Sequence, residues 1–274
     1  MSAEELDRDA GQTRPRVGDA WKCGLALFIF ELLVEVWIRI AQRNPAVDQW
    51  LTVHQYSVQI GIKLFRAGAW LLSAYFFSGA PSGRAFAAAC GLSRRPTLPG
   101  WCAAWAAVGI ALLDRYAGSK GLTAPNPVGH GFYRQGGGAL FMFVIFVISV
   151  GPFFEEVTLR GFMYKAFRSG YGGLLSTSFV LAFSAYFHWS SVSRSMWTFG
   201  FLMFGWALFC LLRERTSSTW NCVLAHASYN AAQMLAWPLY AVALVLVLPL
   251  CLRGRLASQG TSPGSAPIEQ PGPS

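Results

Sequence analysis

Long runs of apolar positions, separated by short polar connections, set the pattern of this chain. They fall at about 23–41, 58–77, 99–113, 139–168, 174–189, 197–212, 220–236 and 239–252. Most approach the roughly 20 residues that a helix needs to cross a hydrocarbon core. The pattern predicts an all-α fold, a polytopic membrane protein of about eight transmembrane helices. Residues 1–21 are polar and mixed in charge, and 253–274 are rich in Gly, Ser and Pro; both are expected to be disordered cytoplasmic tails around a transmembrane domain over 22–252. Among the connections, 79–84 has the Gly, Pro and Ser content of a loop, and 170–173 reads as a tight turn. A long Gly- and Pro-rich stretch over 114–138, with His130 and Tyr133, reads as a plain connector. No internal repeat is visible.

The fourth run differs from the others. Its apolar residues 139–150 lead into Gly151-Pro152-Phe153-Phe154-Glu155-Glu156-Val157-Thr158-Leu159-Arg160-Gly161 and then an amphipathic stretch to Arg168. A long helix is expected here, bent near Gly151-Pro152. One ionisable side chain in hydrocarbon costs at least about 2.5–3.5 kcal/mol, so an adjacent pair of glutamates demands a reason. On a helix Glu156 and Arg160 are i,i+4 neighbours with the acid first, the favourable order for an ion pair. Glu155 points about 100° away and is left for other work. The blander alternative is a helix that has already left the membrane, with its charges on a solvated face. Elsewhere, Glu31 and Glu35 in the first run and Lys63 and Arg66 in the second are expected to pair structurally.

Composition fixes the class. Hydrophobic residues are 54% and charged ones 13%, with positive mean hydropathy, which excludes ordinary soluble globular composition. Eleven Trp and nine Tyr suit anchoring at the membrane interface as well as packing. The net charge of +9 does not indicate nucleic acid, because the basic residues lie between apolar runs without a basic stripe or binding motif. With eight spans, one side carries Arg84, Arg94, Arg95, Lys165, Arg168, Arg213 and Arg215 together with the basic residues of both tails. The opposite side carries Arg43, Arg115, Lys120, Arg134 and Arg194. This bias places both termini in the cytoplasm. The first apolar run carries Glu31 and Glu35 and lacks a convincing cleavage site, so it is no signal peptide. The six cysteines are scattered singly without a CxxC pair, which indicates neither structural zinc nor a disulfide framework; most are expected to be small packing residues.

Four histidines remain to be placed. His54 and His130 lie in expected loops. His188 lies near the end of the fifth run, and His226 lies in the seventh with Asn230 one turn on and on the same face. A lone histidine in such a run is ordinarily a hydrogen-bonded core residue. Depth argues otherwise. Counted at 1.5 Å per residue from turns on one side, Glu155 and Glu156 lie roughly 20 Å in, His188 about 22 Å, and His226 about 15–18 Å. Three helices therefore bring two glutamates, two histidines and an asparagine to a similar level.

Glu-Glu-x-x-x-Arg-Gly, a helix ending in an aromatic-rich run with His, and His-x-x-x-Asn together resemble the CAAX protease and bacteriocin-processing (CPBP, or Abi) family of intramembrane proteases. The resemblance covers about 141–236, with a protease core at about 138–236. One position departs from it: the family usually has Phe four residues before the second-motif histidine, and Ser184 stands there. The resemblance implies a hydrolase of a membrane-associated protein or peptide substrate, such as a CAAX-like tail, a leader peptide or a C-terminal sorting segment, in a bacterial inner membrane. It implies that Glu155 activates water with help from His188, that His226 and Asn230 polarise the scissile carbonyl, and that Glu156 and Arg160 hold the helix geometry. Which glutamate is the base stays open. So does the cofactor, none or zinc: His188, His226 and Glu155 could ligate zinc, whereas the lack of a His-Glu-x-x-His segment leans toward a metal-free reaction. Apart from substrate and bilayer no partner is implied, and the sequence sets no oligomeric state. A different class, a membrane transporter or binding protein whose buried charges carry ions or protons, accounts for the same buried residues.

Overall fold

One helix, spanning 138–168, lies at the centre of the protein, and the others are laid around it. The computed structural model describes residues 15–53, 55–122, 138–193 and 195–234, and all the regular structure in them is helical. In chain order the helices are α1 (Val17–Gln42), α2 (Pro45–Val53), α3 (Gln55–Ser78), α4 (Gly83–Ala89), α5 (Leu98–Ser119), α6 (138–168), α7 (Gly173–Phe187), α8 (Trp189–Val192), α9 (Met196–Thr216) and α10 (Thr219–Met234). Every apolar run expected up to residue 234 is thus helical. Three helices among the described residues are long and apolar enough to cross a membrane: Ser57–Ser78, Met142–Arg168 and Met196–Thr216. With the composition, they make this an integral membrane protein. The eighth run, Pro238, Cys251, His54, His130, Tyr133, Arg134, Arg194, residues 1–14 of the tail expected over 1–21, and the tail at 253–274 lie outside the described residues. The end of the first tail is corrected: residues 17–21 open α1, with Ala20 buried.

The central position of α6 follows from its sequence. Residues 157–164 are buried without interruption, as in a helix that has no polar face to show. This segment touches α1, α3, α7, α9 and α10. Close approach depends on Gly161, where an added Cβ would sit 3.1 Å from the Cys90 Cβ and 3.3 Å from the Thr219 hydroxyl. The glycine that closes the Glu-Glu-x-x-x-Arg-Gly motif is therefore a packing residue. Around the centre the usual amphipathicity is inverted: Leu33, Trp37, Phe65, Leu72, Phe76 and Leu174 are exposed on the outside, where hydrocarbon rather than water satisfies them.

A short polar segment fixes the start of α10. Thr219 donates its hydroxyl to the Cys90 carbonyl, Ser218 Oγ to Arg94 O at 2.8 Å, and Trp220 Nε1 to Leu92 O at 2.8 Å. Asn221 accepts from Thr97 N at 2.9 Å. Burial pushes the Cys90 thiol up to about 12, so it acts here as a packing group, as do Cys23, Cys210 and Cys222; Cys102 is exposed.

Two further expectations, one of a boundary and one of a pairing, are corrected. The connector expected from Asp114 begins later, because α5 continues through Ser119 before Gly121 turns the chain at φ +73. Asp114 and Arg115 look like loop residues but bind α10: Gln233 Nε2 donates to Asp114 Oδ2 at 2.7 Å, and Arg115 Nη1 donates to Ala232 O at 3.0 Å. The expected pairing of Glu31 and Glu35 with Lys63 and Arg66 is half right. Arg66 lies 2.9 Å from Glu31, an ion pair without hydrogen-bond alignment, and Trp70 Nε1 donates to the same carboxylate at 3.2 Å. Glu35 instead pairs within its own helix with Arg39 at 2.9 Å, and Lys63 turns inward.

Candidate functional site

The helix of the paired glutamates is irregular on both sides of them. Wide π-turns run over Phe146–Val150 and Val157–Met163, and the α-helical turn Gly151–Glu156 lies between. Such turns leave carbonyls without their usual partners and recur at functional sites. In the first, Gly151 N donates to Phe146 O five residues back. In that register the Val147 carbonyl would take the N–H of residue 152, and Pro152 has none. Asn230 supplies the donor instead, its Nδ2 lying 2.9 Å from Val147 O. The expected bend at Gly151-Pro152 is therefore a π-turn stitched to α10 by the asparagine of the third motif.

Glu156 is fully buried, and its Oε1 accepts from two cations or potential cations. Arg160 Nη1 is 3.3 Å away and His226 Nδ1 is 2.8 Å away. Arg160 is equally buried, and its Nη2 reaches Trp206 O at 3.5 Å. Its guanidinium lies 5.6 Å from the centre of the Phe209 ring, and the same ring stacks on His226 at 5.4 Å. Phe209 on α9 is thus packed against both partners of Glu156.

Glu155 takes the other direction, as the helical spacing requires. Its side chain is 26% exposed, and its Oε2 lies 3.5 Å from His188 Nε2 and 4.0 Å from His226 Nε2. The tautomers follow from the far side of each ring. His188 Nδ1 faces the Ser184 carbonyl at 3.0 Å, and His226 Nδ1 faces the Glu156 carboxylate; both can only accept, so each Nδ1 carries a proton. In their neutral forms both rings present an Nε2 lone pair toward Glu155. Three acceptors aimed at one another call for a shared donor: a proton, a water or a metal ion. The chemistry of the set, two imidazoles and a carboxylate, fits zinc. Among the described residues, however, no group of three such side chains is drawn together as a metal cluster.

The departure at Ser184 leaves this anchoring intact, because His188 is held by the backbone carbonyl of residue 184. Aromatic bulk comes instead from Phe187, 4.4 Å from Trp70, and Phe183, stacked on Phe187 at 6.2 Å.

These groups open on a cavity of about 200 Å³. All five residues expected to be catalytic are placed there or directly behind it: Glu155, His188, His226 and Asn230 line it, and Glu156 sits behind His226 with Arg160. Two further polar residues line it that the sequence does not place in the site, Lys63 from α3, expected only as a structural ion-pair partner, and Tyr229 from α10. Lys63 forms no hydrogen bond or ion pair with another described residue; Arg66 one turn on takes the available carboxylate. Its only sequence signal was a cation in an apolar run. Trp206 and Phe209 form an aromatic wall, indistinguishable in sequence from aromatics that face lipid.

Fold and site together define a class: an all-helical integral membrane protein with acid–base groups from several helices gathered around a cavity inside the bundle. Within it, residues 137–232 match the family model described as type II CAAX prenyl endopeptidase, Rce1-like. That segment holds all three motifs and is the family similarity that they suggested; α1 to α5, with Lys63, lie outside it. No curated protein and no solved structure matches the chain.

Proposed function

We propose that the protein is an intramembrane endopeptidase that cleaves a membrane-associated peptide, of the class of a CAAX-like tail, leader peptide or C-terminal sorting segment, with a glutamate-activated water. One observation carries this: Glu155 Oε2 lies between the Nε2 atoms of His188 and His226, at 3.5 and 4.0 Å, on the wall of a cavity. A water there can give one proton to Glu155 and direct its second O–H at His188 Nε2, leaving an oxygen lone pair for the scissile carbonyl carbon. The second N–H of the Asn230 amide is free to meet the developing oxyanion. The His226 ring is held from behind by the Glu156 carboxylate, 2.8 Å from Nδ1, which keeps Nε2 turned toward the same space. Collapse of the tetrahedral intermediate expels the amine, which takes back the proton held by Glu155. The buried Glu156–Arg160 pair supports reading Glu156 as scaffold and Glu155 as base.

Zinc, if bound, would be held by His188, His226 and Glu155 and would lower the pKa of a water there. The test is cleavage of a prenylated peptide by the full chain in proteoliposomes. Glu155→Gln is expected to fold like wild type and lose cleavage entirely. Full cleavage by this variant would remove Glu155 from the mechanism, and wild-type activity lost to a chelator and restored by zinc would move the water onto the metal.

The proposed topology is eight spans with both termini in the cytoplasm, in a bacterial inner membrane. Support comes from Arg94 before α5, Lys165 and Arg168 at the end of α6, and Arg213 at the end of α9: they line one cavity, so those three ends share a side, in keeping with the distribution of basic residues.

A further inference from the structure

That basic cavity, of about 310 Å³, is separate from the catalytic one. Four cationic side chains line it, Arg94, Lys165, Arg168 and Arg213, against one carboxylate, Glu214. The carboxylate is already engaged. Arg168 holds it through Nη2 at 2.8 Å and Nε at 3.2 Å, and the Tyr164 hydroxyl donates to it at 2.9 Å. No carboxylate among the described residues forms an ion pair with Arg94 or Arg213. Arg213 is buried, and its Nε and Nη2 are spent on the carbonyls of Arg160 and Cys90, at 3.2 and 3.4 Å, which orient the guanidinium without neutralising it. Its Nη1 forms no hydrogen bond with another described residue, and Arg94 forms no ion pair with one. Lys165 is steered by the Ala89 carbonyl at 3.0 Å.

Cations at the ends of α6 and α9 could simply complement the helix dipoles. That accounts for Arg168 and for Arg215, which does not line the cavity. It does not account for Arg94, which stands on the connection before α5, or for a buried arginine held open by two carbonyls. The location adds a second constraint. Both candidate spans that reach the cavity, Met142–Arg168 and Met196–Thr216, end there, so it lies at headgroup depth.

We infer that this cavity is a binding site for a phosphate group carrying net negative charge, formed by Arg94, Lys165 and Arg213, with the headgroup of an anionic phospholipid as its source. A guanidinium with a free N–H edge suits phosphate oxygens. A membrane-face cavity with excess positive charge selects lipids whose phosphate is not offset by a choline or ethanolamine cation.

The experiment is thermal unfolding of the full chain in non-ionic detergent, titrated separately with phosphatidylglycerol, with phosphatidylcholine of the same acyl chains, and with inorganic phosphate. A saturable rise in midpoint is expected with phosphatidylglycerol and none with phosphatidylcholine. Arg94→Gln changes an exposed side chain and should fold; it is expected to move the titration to about tenfold higher lipid, the loss of one charge-assisted contact. Lys165→Gln should act in the same direction. Arg215→Gln removes the same charge nearby but outside the cavity and should leave the titration unchanged. An equal rise with inorganic phosphate, also sensitive to Arg94→Gln, keeps the site and assigns it to free phosphate. Equal responses from Arg94→Gln and Arg215→Gln, or no saturable response to either phosphate source, overturn the proposal.

Discussion

Glu156 and His226 meet at 2.8 Å although 70 residues separate them in the chain, and the contact is fully enclosed by α6, α9 and α10. Through it one carboxylate ties the scaffold pair of α6 to the inner end of the cavity. Removing either end of the Glu156–Arg160 pair leaves a buried charge without its partner, which typically costs about 3–5 kcal/mol. Arg160→Ala is therefore expected to lose folded protein along with activity, read as the yield of monodisperse protein and its unfolding midpoint. A well-folded Arg160→Ala at wild-type midpoint would show that the pair is not structural.

Asn230 donates to Val147 O and lines the cavity, and the proposed reaction gives its second N–H the oxyanion. For Asn230→Ala a fall of about 10²- to 10³-fold in kcat is expected, the usual effect of removing an oxyanion donor. The orphaned carbonyl adds a moderate loss of stability, of order 1–3 kcal/mol. Asn230→Asp, which cannot donate to Val147 O when ionised, should be no better. Unchanged kcat in a destabilised Asn230→Ala would restrict the residue to holding the π-turn.

Lys63 is a cation in an apolar setting without an ion-pair partner among the described residues, so its presence is a cost to folding. Lys63→Met should keep or raise the unfolding midpoint. Because the ammonium faces the same cavity as Glu155 and His188, the same change should lower kcat/KM for peptide cleavage by at least about tenfold, or about 1.4 kcal/mol. Full activity in a stabilised Lys63→Met would make the lysine incidental to the reaction.

Topology is open to a direct check. Reporters fused after Ser274 and inserted into the connector at residue 128 should report opposite faces of the membrane. Signals from the same face would remove the eighth span or reverse the count before it.

Much of this was legible in the chain. Hydropathy alone places the long helices, though not the short α2, α4 and α8, because hydrocarbon leaves the backbone no alternative to satisfying its own hydrogen bonds. The Glu156–Arg160 pair and the opposed direction of Glu155 are also local, since the pitch of a helix decides which neighbours share a face. Relations between helices are different. They depend on the rotation of each helix about its axis, and here both the packed and the lipid-facing sides are apolar, so no polar stripe marks the inside. Lys63 could equally have turned to Glu31, as Arg66 does, and only packing against α6 sends it to the cavity. The π-turn at Phe146–Val150, the capture of Val147 O by Asn230, and the gathering of Arg94, Lys165 and Arg213 around one cavity likewise arise only where helices meet. The sequence by itself determined the long apolar helices and the polar residues at each level; the tertiary structure decided which of those residues face one another, because only packing sets the rotation of one apolar helix against the next.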